Sequence, residues 1–179
     1  MRAASSYDLG TVISKTVSWK QGTNGTVFTD EFLGNVSSTN TDWTVVFLRR
    51  LGIQENYDAF LTRANTYVKG AYDKNPSTGL STNTPTEWHR LTMAVLAAGG
   101  DPTNVGGHDL IADGTYNCLA GDPSNQGMNG AAWALLALDS NGYEVPAGAE
   151  YTREKLINDI LKKEAVSYTH LTLPTKRIV

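Results

Sequence analysis

The chain holds one cysteine in 179 residues, Cys118, so neither an internal disulfide framework nor a cysteine-based zinc cluster is open to it. It has no run of Lys or Arg, and its formal net charge is −3. No electrostatic footprint for nucleic acid or for an anionic membrane surface follows from such a balance. No apolar stretch approaches the roughly 20 residues of a membrane span, and the opening MRAASSYDLG lacks the apolar core of a secretory signal. Strand signals are scarce too, since no alternation of apolar and polar residues survives beyond about four positions. What remains, at 40% hydrophobic content, is a globular sequence of single-domain length.

Against these absences stands a repeat. Three apolar segments recur at intervals of 40 to 45 residues: DWTVVFLRRLG from Asp42, EWHRLTMAVLAAGG from Glu87 and GMNGAAWALLALDSNG from Gly127. Each is apolar nearly all round, which requires burial, and each ends at Gly or Asn-Gly, where a helix stop favours a left-handed residue. Between them lie segments with a narrower apolar stripe: Tyr7 to Gln21, NYDAFLTRANTYVKGAY from Asn56, a short one near GGHDLIADG, and YTREKLINDILKKE from Tyr151. In the last, Leu156, Ile157, Ile160 and Leu161 form the stripe while Arg153, Lys155, Asp159 and Lys162 point away. Thr41 or Asp42, Asn83 or Thr84, and Thr152 are the expected caps, and Pro85 and Pro146 sit at or just before helix starts. The expected fold is all-α, with buried inner helices alternating with amphipathic outer ones, as in a solenoid or an α/α barrel.

Residues 166–179, VSYTHLTLPTKRIV, break this pattern with β-branched residues and proline. The stretch VSYTHLTLPT resembles the translation of a transposon-end adapter used in sequencing libraries. The expectation is therefore a domain over 1–165 followed by a non-native tail over 166–179, on a gene fragment from environmental DNA, truncated at its C-terminus. His170 is left out of the functional reading.

The succession GGDPTNVGGHDLIADG, QGMNGAAWALLALDSNGYEVP and YTREKLINDILKKE resembles the α/α-toroids of the terpenoid cyclase and protein prenyltransferase superfamily. More narrowly it is similar to toroid modules of secreted or cell-surface proteins of Gram-positive gut bacteria. The resemblance implies inner helices around a central cavity, their N-terminal ends at one mouth, and an extracellular or cell-surface location. The chain supplies only part of the helix pairs of a closed ring, so a partial, open toroid is expected. The superfamily's chemistry does not carry over: there is no Asp-x-Asp-Asp acid, and His108, Asp113 and Cys118 fall near one another without a matching zinc motif. No metal and no cofactor is expected. The alternative is an isoprenoid-processing enzyme whose catalytic motif lies beyond the truncation.

If the inner helices share one mouth, Asp42 and Trp43, then Glu87, Trp88, His89 and Arg90, then Gln126, Asn129 and Trp133 converge there as a binding rim for a small molecule, a glycan or a protein partner. Acids at helix N-termini are held ionised by the helix dipole, which suits them to accept hydrogen bonds rather than to act as general acids. Blander roles compete for each residue. Asp42 and Glu87 can be ordinary helix-start acids, the tryptophans core fillers, His89 a hydrogen-bonded core histidine, and Arg90 the counterion of Glu87 or Asp42. Gly106-Gly107 is a turn, and Asn35-Val36-Ser37 matches a glycosylation sequon by pattern alone.

Overall fold

The computed structural model describes residues 8–81 and 83–170, with side chains through Lys162. Its regular elements are all helical, and the one β feature among the described residues is an isolated bridge between Val105 and His108. The helices are α1 (Leu9–Gln21), α2 (Asp30–Leu33), α3 (Thr39–Arg50), α4 (Tyr57–Lys74), α5 (Pro85–Ala98), α6 (Met128–Asp139) and α7 (Arg153–His170). A π-turn, Ala112–Tyr116, and short 3-10 turns punctuate the loops.

Local chemistry sets most of these boundaries. Asn56 starts α4 by accepting the Ala59 N–H at 3.0 Å, and Thr152 accepts the Lys155 N–H at the start of α7. Helix α5 opens with Pro85 in its first turn, where the missing N–H costs nothing. It closes with Gly99 in the left-handed region, the Gly99 and Gly100 amides reaching back to the Leu96 and Val95 carbonyls. Helix α3 starts earlier than the sequence suggests. Its cap is Ser38, whose hydroxyl accepts the Thr41 N–H, so Asp42 lies inside the helix rather than at its mouth.

Helix α5 is the centre of the packing, with α3 on one side, α6 on the other, and α4 and the π-turn behind it; α7 packs on α6. One core gathers around Phe28, Phe60, Trp88 and Leu91, and a second around Ile111, Ala134, Leu138 and Leu156. Of the α7 stripe, Leu156 is buried and Ile160 half-buried, but Ile157 and Leu161 remain exposed.

Four expectations change. Helix α1 has no fully buried residue, and Trp19 on it is 80% exposed; its contact with the body runs through half-buried Val17 and Gln21, so it covers the core less than an outer-layer helix should. The short outer helix near GGHDLIADG is instead a single helical turn that widens into the π-turn, with Asp109 accepting the Ile111 and Ala112 amides. Pro146 lies in the α6–α7 loop, not at a helix start. The α7 backbone continues to His170 through the change in composition at 166, and the rest of the expected tail, 171–179, lies outside the described residues. Gly106 and Gly107 do form the turn expected of them, inside the Val105–His108 bridge.

Candidate functional site

The starts of α3, α5 and α6 adjoin one another through polar contacts. Asp42, fully buried, accepts the Arg90 Nε at 2.9 Å and the Ser37 amide at 3.1 Å. The Arg90 Nη2 donates to the Ser37 carbonyl at 2.5 Å, and the Ser37 hydroxyl donates to Glu87 at 3.2 Å. Thr84 donates to the other Glu87 oxygen at 3.3 Å, and the Tyr67 hydroxyl from α4 faces Ser37 and Glu87. On the far side of α5, the Thr86 amide donates to the Gln126 side chain at 3.0 Å, which ties the α6 start to the α5 start.

Ser37 is the hub of this arrangement. It holds a positive φ of 69°, uncommon outside glycine, and is held there by side chains from two helices. Burial raises the Asp42 carboxyl to about 6 even with Arg90 beside it, because desolvation outweighs the pull of the guanidinium. Burial likewise pushes the Tyr67 phenol above its ordinary range.

Next in sequence to Asp42, Trp43 begins a run of aromatic contacts. Trp43 on α3 and Trp133 on α6 meet across α5 with centroids 5.3 Å apart, and Phe47 continues the strip 5.9 Å from Trp43. Both tryptophans are half-buried and Phe47 is 61% exposed. Arg90 and Met93 of α5 are half-buried, and Asn129 and Leu136 of α6 are exposed. This is an open face, not a closed cavity.

No family model, curated protein or solved structure matches this chain. The chemistry of the site therefore rests on its own geometry.

That geometry divides the nine residues expected at the rim. Asp42, Glu87 and Arg90 join into the polar junction, Gln126 ties the α6 start to α5 on its far side, Trp43 and Trp133 meet in the strip, and Asn129 is exposed on the first turn of α6. Trp88 and His89 leave the rim altogether, being 0% exposed. Trp88 is clamped between two glycines: a Cβ on Gly79 would come within 2.5 Å of its Cη2, and one on Gly114 within 2.6 Å of its Cβ. His89 donates from Nε2 to the Gly114 carbonyl at 2.8 Å, which leaves Nδ1 without a partner among the described residues. Sequence reasoning missed Ser37, Tyr67 and Phe47. For Phe47 the signal was available, since it follows Trp43 by four residues and so shares its helix face.

The residues weighed for zinc do not gather into a site: no group of metal-ligating side chains converges among the described residues. The Tyr72 hydroxyl donates to Asp113 at 2.5 Å, and His108 stacks flat on the Tyr72 ring at 3.5 Å. The Cys118 thiol donates to the Gly121 carbonyl, and burial pushes it up to about 12, far from the thiolate that a nucleophilic role needs.

Two buried groups titrate in opposite senses. Burial depresses His89 to about 4, so its contribution is complete above its unfolded value of 6.5 and is lost as pH falls toward 4. Asp42 is raised from 3.8 to about 6, so its contribution is greatest below 3.8 and is lost as pH rises through 6. Each swing is on the order of 3 kcal/mol. Over pH 4 to 6 the two oppose one another. The urea midpoint of His89→Gln is therefore expected to rise from pH 6.5 to pH 4.5 relative to the parent, and that of Asp42→Asn to fall. Parallel profiles for parent and variants would refute the assignment.

Proposed function

We propose that the chain is a partial α/α-toroid module of a bacterial extracellular or cell-surface protein, and that it binds a small molecule, a glycan or a protein partner on its open face. The adjoining starts of α3, α5 and α6 support the toroid reading, as does the packing of α4 and α7 against α5 and α6. The observation that carries the binding reading is the contact of Trp43 with Trp133. It places two large, half-buried rings from helices on either side of α5 next to each other, with part of each still open to solvent.

The polar junction supports binding over bond-making. Asp42 is fully engaged by Arg90 and Ser37, and Glu87 is held by two hydroxyls, so these carboxylates serve as fixed acceptors that align the helix starts. Rigid support of this kind keeps a surface in one shape.

The test uses 1-anilinonaphthalene-8-sulfonate, a dye that brightens on exposed apolar surface. Its fluorescence with the intact chain is expected to fall severalfold in the Trp43→Ala/Trp133→Ala double variant and to change little in Trp19→Ala, whose ring lies on α1. Equal dye fluorescence in the double variant and the parent would remove the open face as the binding surface.

A further inference from the structure

Asn-Gly occurs three times in the chain, at 24–25, 129–130 and 141–142. The pair is chemically reactive because glycine puts no side chain in the way of ring closure and lets the backbone turn freely. We infer that Asn24 is a site of spontaneous deamidation in the folded protein, that Asn141 converts more slowly, and that Asn129 is protected by the fold. The reaction is intramolecular. The Gly25 backbone nitrogen gives its proton to a solvent base and attacks the Asn24 Cγ. A C–N bond forms, the bond from Cγ to the side-chain nitrogen breaks, and the nitrogen leaves as ammonia, closing a succinimide ring. Water then opens the ring at either carbonyl, giving aspartate or isoaspartate. Water is the only co-reactant, and nothing is oxidised or reduced.

Exposure does not separate the three sites, since all three asparagines are exposed. Their backbones do. Ring closure requires the asparagine to swing until the following nitrogen reaches its own Cγ, so the rate follows the freedom of the two residues to turn. Asn24 ends the short 3-10 turn Gly22–Asn24, and Gly25 after it is exposed, with a φ of 67°. A Cβ on Gly25 would meet nothing within 4 Å, so this turn has open space around it. Gly142 is equally open, but its amide donates to the Asp139 carbonyl at 3.4 Å and the Asn141 side chain faces the Tyr143 hydroxyl, which restrains both partners. Asn129 lies in the first turn of α6, and the buried Gly130 is pressed so closely on Pro123 that a Cβ there would run into the Pro123 carbonyl oxygen. The swing that closes the ring would have to displace Pro123.

Conversion at Asn24 also falls on a held segment. Glu55 accepts the Gln21 side chain at 3.3 Å, the Val27 amide at 3.0 Å and the Thr26 hydroxyl, so it clamps the chain on both sides of Asn24. Isoaspartate routes the backbone through the former side chain and lengthens it inside that clamp, which joins α1 to the body.

The experiment incubates the intact chain at pH 8, in buffer and in urea, and follows each Asn-Gly peptide by mass spectrometry for the exchange of a side-chain NH2 for OH. In buffer, Asn24 is expected to convert faster than Asn141 and about tenfold or more faster than Asn129, whereas in urea the three rates should agree within about threefold. Gly25→Ala should slow Asn24 about tenfold or more in urea as well as in buffer, so a folding defect cannot mimic the effect. Asn129 converting as fast as Asn24 in buffer would overturn the protection by the fold, and an Asn141 rate equal to or above that of Asn24 would overturn their order. An Asn24 that stays intact in buffer while it converts in urea would sink the inference altogether.

Discussion

Replacing Trp88 by alanine is expected to cost about 3 to 5 kcal/mol of folding free energy, the range for truncating a fully buried large side chain. Trp88 has no exposed surface, packs edge-on against Tyr72 with centroids 6.0 Å apart, and fills the gap between Gly79 and Gly114. Those glycines leave no side chain to relax into the space, so the cavity would persist. The indole N–H has no partner among the described residues, so no hydrogen-bond loss adds to the packing loss, and removing this buried donor returns only part of the cost. Domain stabilities of about 5 to 15 kcal/mol make such a loss visible as a large fall in the urea midpoint. An unchanged midpoint would show that the ring is not in the core. The sequence left two roles open for Trp88, a place on the binding rim or a core filler, and its burial selects the second.

Arg90→Met is expected to cost about 3 kcal/mol or more at pH 8, because it leaves the buried Asp42 carboxylate without its counterion. The loss has a distinctive pH dependence. The Asp42 carboxyl already sits at about 6 with Arg90 in place. Without the guanidinium it rises further, so the variant's folded state takes up a proton more readily and its deficit shrinks as pH falls from 8 toward 4. Adding Asp42→Asn to Arg90→Met removes the buried charge and should recover much of the stability at pH 8. Urea unfolding of the parent, the single variant and the double variant at pH 5 and pH 8 measures this. A deficit that is the same at both pH values would mean that Arg90 contributes through its packed stem rather than its charge.

The residues around Glu87 show where reading the sequence succeeds and where it stops. Four chemically distinctive side chains in a row look like one functional patch. On a helix, successive residues turn by about 100°, so the four cannot all share a face, although Glu87 and Arg90, three apart, both reach Ser37. Glu87 points toward Ser37 and Tyr67, Trp88 and His89 into the core, and Arg90 toward α3. The helices themselves were legible because their apolar period is long and their stops carry glycine or a cap such as Asn56. The identity of the α3 cap was not, since Ser38, Thr39, Thr41 and Asp42 all have suitable oxygens and only the tertiary pull of Arg90 draws Asp42 inside. The exposure of α1 was illegible for a similar reason: an apolar stripe states a need for burial but not whether a neighbour supplies it. Ser37 gave no composition signal, because a positive φ in a serine is imposed by its partners rather than by its own preference.

The four tryptophans occupy three kinds of environment: Trp19 in water, Trp43 and Trp133 touching each other at a half-covered surface, and Trp88 sealed in the interior. The intrinsic emission of this protein is consequently a composite. Its red edge belongs to α1, its blue edge reports the integrity of the core, and the coupled pair contributes a near-ultraviolet dichroic signature of its own. Emission and near-ultraviolet dichroism together thus report on α1, the surface pair and the interior, with no label added.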